Sequence, residues 1–245
     1  MDDTRADETV QLKDQNWLFR SIPQDAWQRL LPHIEEFDMS LGLVLSASGV
    51  KSSYLYFPTN AIVSLLYNLE NGSSAEIAVI GNEGCAGVSI FMGGNSTLTT
   101  AVVQSAGKSY RIKANVILDE FNKAGAVMHL LLRYTQSLIT QMTQTAVCNR
   151  HHTLDQQFCR WLLLSLDRLH SNELVMTQEL IANMLGVRRE GVTQAALKVQ
   201  RAGFIKYARG RITILDRLGL EKRTCECYQV VKTECDRLLP KELAV

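Results

Sequence analysis

Ala182, Gly186 and Val192 stand four and six residues apart in the stretch MTQELIANMLGVRREGVTQAALKVQRAGFI, residues 176–205. A small residue, a turn glycine and an apolar plug at this spacing confine the segment to two short helices packed across a tight corner. Thr177 suits the N-cap of the first helix, and Glu179 suits its positive end. Gly186 supplies positive φ at the corner. Leu180, Leu185, Ala196 and Val199 are the expected filling between the helices. Gly203 is a natural left-handed terminator for the second. The next stretch, FIKYARGRITIL, predicts two strands around Ala208-Arg209-Gly210-Arg211. Helix, turn, helix and basic hairpin together make a winged helix-turn-helix pattern.

The second helix begins with Arg188 and Arg189, where the dipole and the unpaired N–H groups already present positive charge. That placement is unfavourable in isolation and useful beside a polyanion. Phosphates bind helix N-termini, and arginine adds a planar fork for phosphate or for guanine O6 and N7. Arg188, Arg189, Glu190 and Gln194 are therefore the candidate base readers: Glu190 can accept from cytosine, and Gln194 lies one turn further on the same face. Thr177, Gln178, Thr193, Lys206, Arg209 and Arg211 are the candidate phosphate contacts, which position without specifying. Lys198 and Arg201 read as solvated charges. Gly191 costs about 1 kcal/mol relative to Ala in a helix interior; it either lets the backbone approach a groove or has no role. Charge agrees with this placement. Residues 176–224 hold ten Lys/Arg and four acids, +6, although the whole chain carries only +1.

The rest of the 245-residue chain divides by texture. Residues 1–15 are acidic and polar and are expected to be a flexible tail. Residues 16–36 predict short helices, with Ser21 near Pro23 as a cap and Trp17, Leu18, Trp27, Leu30 and Leu31 as the buried face. Runs such as SYLYF, AIVSLLYNL, SAEIAVI, TTAVVQ and SYRIK predict short strands, and Asn71-Gly72 is a hairpin signal. These place a β-roll or jelly-roll sensor domain over 16–124. A helical run without Pro or Gly fills 125–152. Leu131, Tyr134, Leu138, Gln141, Thr145 and Cys148 form one seam, and Leu132, Ile139, Met142 and Ala146 a second apolar face. A helix apolar on two sides covers its own domain and something else; Leu131, Tyr134, Leu138 and Met142 are the expected contacts of a homodimer. Residues 153–245 are the winged domain, so the fold class is α+β.

No apolar run approaches the roughly 18 residues that cross a bilayer, and the first residues do not form a secretory signal. Six cysteines, at 85, 148, 159, 225, 227 and 235, then imply the reducing cytosol and free thiols. Cys225-x-Cys227 lacks the gap of the usual zinc and redox motifs, so a buried structural role and no metal are expected. No phosphate loop, His-Glu-x-x-His or Gly-x-Ser-x-Gly is present, so no enzyme is expected.

With these motifs in this order, the chain resembles the Crp/Fnr family of bacterial transcription regulators over residues 16–240. The resemblance implies a cyclic-nucleotide-binding-like β-roll, a dimerisation helix and a homodimer on a two-fold symmetric operator in double-stranded DNA. It also implies RNA polymerase as a further partner, and places Arg189, Glu190 and Gln194 on base-reading positions. Gly81, Glu83 and Gly84 of GNEGCAG, with Thr99 and Thr100, mark the expected effector pocket. Thr99 stands where the family's cyclic-nucleotide binders have an arginine, so a cyclic phosphate lacks its cation and cAMP is not expected. Residues 1–84 contain no cysteine to hold the family's iron–sulfur cluster. Haem is not expected either, since His33, His129, His151 and His152 read as solvated or hydrogen-bonded. The effector itself stays unknown. A competing reading is a ligand-binding adaptor whose C-terminal domain recruits a protein rather than DNA.

Overall fold

The computed structural model describes residues 12–169 and 171–239. Most of the expected tail, residues 1–11, lies outside the described residues. Its last residues are not loose: Leu12 packs on the core, and the Lys13 ammonium sits over the Trp27 ring at 5.5 Å.

Two short helices precede the sheets, α1 (Trp17–Ser21) and α2 (Gln24–Leu30). Asn16 caps α1 by accepting from the Leu18 N–H at 3.0 Å, while its amide donates to the carbonyls of Pro58 and Gly84. Ser21 does not cap α2. Its hydroxyl donates back to the Trp17 carbonyl, and Pro23 takes the N-cap position. Leu18, Phe19, Trp27 and Leu30 are buried, whereas Trp17 and Leu31 are only partly covered. Phe19 joins Trp27 and Phe57 at centroid distances of 5.2 and 4.4 Å.

Two antiparallel sheets follow. One has the order β1-β7-β3, from Glu35–Met39, Gly107–Lys113 and Tyr54–Pro58; the other has β2-β6-β4-β5, from Val44–Ser46, Thr100–Ser105, Ile62–Asn68 and Ser74–Ile80. Met39, Val63, Ile80, Ala101 and Val103 from the two sheets share one apolar core. Asn71 and Gly72 do turn a hairpin, between β4 and β5, with Gly72 at φ +84°. The chain passes from β6 to β7, and so from sheet to sheet, at Gly107. A Cβ there would lie 2.8 Å from the Ala61 backbone nitrogen, so the corner admits only glycine.

Helix α3 (Ala114–Phe121) leads into the long helix α4 (Ala126–His151). Helix α5 (Leu154–Leu166) starts at a capping box in which Thr153 and Gln156 satisfy each other's backbone N–H groups. It is buried on all sides from Gln157 to Leu166, because the β-roll and the winged domain both pack against it. The winged domain adds β8 (Glu173–Val175), α6 (Gln178–Leu185), α7 (Arg189–Arg201), β9 (Ile205–Ala208), β10 (Arg211–Ile214) and α8 (Arg217–Arg223). The C-terminal helix α9 (Glu226–Leu238) returns along α4. Val192, Ala196 and Val199 join Ile181, Leu162 and Ile212 in one core that reaches Ile62 and Val79 of the β-roll.

Candidate nucleic-acid interface

Thr177 caps α6, its hydroxyl oxygen accepting from the Leu180 N–H at 3.3 Å. Gly186 ends that helix at φ +64°. Arg188 is the N-cap of α7, extended and without a side-chain cap bond, and Arg189 is its first residue. Arg188, Arg189, Glu190 and Gln194 are all exposed, and none of the three charged ones makes an ion pair among the described residues. The Glu190 carboxylate suits the positive helix end; the two arginines oppose it.

The wing stands beside this helix head. β9 and β10 pair in register, Ala208 opposite Arg211, and the turn between them places Arg209 at φ +51° and Gly210 at φ +75°. A left-handed arginine costs about 1–2 kcal/mol locally; here it carries the guanidinium to the hairpin tip. Thr177, Gln178, Arg189, Tyr207 and Arg209 line one open cleft of about 490 Å³ between helix and wing. Lys206 and Arg209 are exposed and unpaired among the described residues. Burial raises the Tyr207 phenol above its ordinary value, and its hydroxyl donates to the Met176 carbonyl at 2.8 Å.

Residues 156–223 match the family model described as a Crp-like helix-turn-helix domain. The chain carries a Crp-like helix-turn-helix domain. Its overall fold is that of solved Crp/Fnr regulators. A Crp/Fnr-family regulator from Eubacterium rectale is 19% identical, over 84% of this chain and 96% of that one, with a TM-score of 0.66. FixK2 from Bradyrhizobium japonicum is 16% identical, over 78% and 98%, with a TM-score of 0.66. A Crp-family regulator from Thermus thermophilus is 18% identical, over 77% and 95%, with a TM-score of 0.62. The comparison with curated proteins gives no match.

Three expectations inside the Crp-like domain change. The Thr193 hydroxyl lies 2.8 Å from Gln178 Oε1 and 3.0 Å from the Arg189 carbonyl, so it clasps α7 to α6 and its proton is engaged internally. Arg211 is paired with Glu173 of β8 at 2.5 Å, which offsets its charge on the inner strand of the wing. Gly191 does not face a groove: a Cβ there would meet the Leu154 side chain at 2.8 Å, so the glycine lets α7 lie close on α5.

The expected effector residues separate. Glu83 is buried, accepting from Arg168 Nε at 2.7 Å and from the Gly81 N–H at 3.0 Å. A Cβ on Gly81 would strike the Arg168 side chain, and one on Gly84 the Tyr134 ring. Gly81 and Gly84 thus give Arg168 and the α4 residue Tyr134 their seats on the β-roll, and Glu83 is paired internally with Arg168. Thr100 also leaves the pocket, its hydroxyl accepting from the Asn68 amide. The β-roll does hold a cavity of about 360 Å³, lined by Ile77, Val88, Met92, Thr99, Leu138 and Met142 among others, with no charged residue in the lining.

The dimer contacts need the same correction. Leu131, Tyr134 and Leu138 are buried within one protomer, Tyr134 donating to the Cys85 carbonyl at 2.8 Å. Met142 is partly covered by the same core. The face of α4 left open carries Leu132, Ile139 and Val147, each 42% exposed or more. Both faces were legible as apolar stripes; which one covers the β-roll was not.

The cysteine expectation is incomplete. Cys148, Cys225 and Cys227 are buried as expected, but they cluster with His152 where α4 ends and α9 begins. A Cys-x3-His pair at the end of one helix and Cys-x-Cys at the start of another was the available signal. It was missed because the halves lie more than seventy residues apart.

Proposed function

We propose that this chain is a Crp/Fnr-type regulator that binds a two-fold symmetric DNA site as a homodimer. Arg188, Arg189, Glu190 and Gln194 read base edges in the major groove; Gln178, Lys206 and Arg209 contact phosphates. The carrying observation is the group of exposed, unpaired arginines at the head of α7 beside the Arg209 wing tip. A charge arrangement that is locally unfavourable persists in a domain whose core is otherwise closely packed. The partner that rewards it is a polyanion.

The homodimer forms through the Leu132, Ile139 and Val147 face, and sets two recognition helices about 34–36 Å apart, one turn of DNA. The signal enters at the uncharged β-roll cavity, whose wall includes Leu138 and Met142 of α4. A ligand there touches the helix that carries the dimer face. Its lining favours a small neutral or apolar molecule over a cyclic phosphate.

Selection of DNA fragments by the purified chain tests this. The expected product is an inverted repeat with half-sites one turn apart. Arg189→Ala and Gln194→Ala should each cost about 1–3 kcal/mol of discrimination at one base position. Recovery of fragments without a shared motif, or variants that keep full discrimination, overturns the assignment.

A further inference from the structure

The last turn of α4 and the first turn of α9 bring four metal-ligating side chains to one point. Cys148 lies in the last turn of α4, and His152, four residues on, is the extended C-cap that follows it. Cys225 occupies the N-cap of α9, and Cys227 lies in its first turn. One ligand atom from each lies within 4.8 Å of all the others. Cys148 Sγ is 3.5 Å from Cys225 Sγ, and Cys227 Sγ is 3.6 Å from His152 Nδ1. A tetrahedral ion with bonds of about 2.3 Å to sulfur and about 2.0 Å to nitrogen holds its ligand atoms roughly 3.5–3.8 Å apart. Two of the pairs already have that separation. The His152 Nε2 faces the Glu226 carboxylate at 3.3 Å, the outer partner that leaves Nδ1 free for a metal.

We propose that Cys148, His152, Cys225 and Cys227 form a closed tetrahedral site for a zinc-type divalent cation, clamping the long helix to the C-terminal helix. Three sulfurs and one imidazole are donors for zinc and poor donors for magnesium or calcium. Four protein ligands with no open position mark a structural site rather than a catalytic one. The ligand atoms are gathered as tightly as a single ion requires, whereas a multi-iron cluster spreads its ligands around a cage.

Charge supports the same occupant. Three thiolates and a divalent ion leave one net negative charge in a buried place. Arg160 is 6% exposed and interacts electrostatically with all three cysteines. It donates to the Thr145 hydroxyl at 2.9 Å, has no ion pair among the described residues, and its Nε has no hydrogen-bond partner. A buried arginine is costly unless negative charge faces it; Glu76 lies within electrostatic reach without forming an ion pair, and the metal-thiolate centre supplies the remaining charge.

The position gives the site a consequence. The chain leaves α4 at His152, builds the whole winged domain, and returns at Cys225. The ion would tie both ends of that domain to the dimer helix, so its occupancy fixes how the recognition helix is seated. Neither the site nor its test depends on the DNA reading.

The test uses the full chain purified under reducing conditions. Plasma mass spectrometry should find one zinc per chain, and cobalt replacement should give the visible bands of tetrahedral thiolate coordination. The double variant Cys225→Ser/Cys227→Ser should lose at least nine-tenths of the metal, while Cys235→Ser keeps it. A wild-type chain that stays below roughly a tenth of an equivalent after zinc reconstitution overturns the site. So do an octahedral cobalt spectrum, bound iron in place of zinc, a Cys148–Cys225 disulfide in the fresh protein, or a folded double variant with undiminished zinc. If the double variant does not fold, the cobalt spectrum of the wild-type chain decides.

Discussion

The turn at Gly186 and the turn between Gly81 and Gly84 each combine glycine with charged side chains, and they place those charges oppositely. Arg188 and Arg189 stand in solvent without ion pairs among the described residues, whereas Glu83 is buried against Arg168. The glycines differ in the same sense. Gly186 is needed for its positive φ, a local matter. Gly81 and Gly84 are needed because Arg168, in the turn after α5, and Tyr134 of α4 press on them. Exposed unpaired charge points to an external partner; charge matched inside the molecule points to assembly of the fold.

The sharpest way to break this contrast is Arg168→Ala. It leaves the Glu83 carboxylate buried without its cation, and such losses cost about 3–5 kcal/mol. Urea unfolding should show a much lower midpoint with little change in slope. A loss below about 1 kcal/mol would mean that Glu83 is not held inward by this pair, and an effector role for it would return.

Glu76 offers a second buried carboxyl with a different solution. It has no ion pair among the described residues, and burial pushes it up to about 7 against the opposing Ser64 hydrogen bond. Ser64 lies 2.5 Å from Glu76 and 2.6 Å from Gln104 Oε1, so a protonated Glu76 can donate to the hydroxyl and the hydroxyl to the amide oxygen. The folded chain holds this proton more tightly than the unfolded chain, whose carboxyl titrates near 4.5. The contribution is therefore complete below pH 4.5 and is lost as pH rises through about 7. Its size is at most on the order of 3 kcal/mol. Glu76→Gln should flatten the fall in stability between pH 5 and pH 8. Parallel pH profiles for the two proteins would remove Glu76 from the account.

Much of the fold is legible in the sequence where the determinant is local. Gly186, Val192 and Gly203 act within one helical hairpin, and five strands carry enough β-branched or aromatic residues to declare themselves. Strand β1, Glu-Glu-Phe-Asp-Met, does not, because it lies at a sheet edge with Glu35 paired to Arg111 across the strands. Distant pairings are silent. Nothing near Glu83 names Arg168, and nothing near Cys148 names Cys225. The α4 stripes are visible, but burial of Tyr134 rather than Ile139 depends on a carbonyl of Cys85 that the helix sequence does not contain.

A smaller effect tests the cap that starts the first helix of the pair. Thr177→Ala removes the bond to Leu180 and should cost about 1 kcal/mol of stability. The same change affects the cleft wall, so DNA affinity should fall with it. Stability lost without any loss of affinity would assign Thr177 to the helix alone.

Arg209 and Arg211 sharpen the comparison at its finest grain, since they flank one turn. Arg211 already faces Glu173, while Arg209 has only solvent at the wing tip. A phosphate contact releases about one counterion, so Arg209→Ala should reduce the slope of log K against log salt by about 1, equally on all DNA sequences. Arg211→Ala should reduce it less, because binding must first compete with an internal carboxylate. Equal slopes for the two variants would show that the Glu173 pair opens on DNA, and that an internal ion pair is no guide to which arginines remain available. A larger change for Arg211→Ala would reverse the assignment of the wing tip.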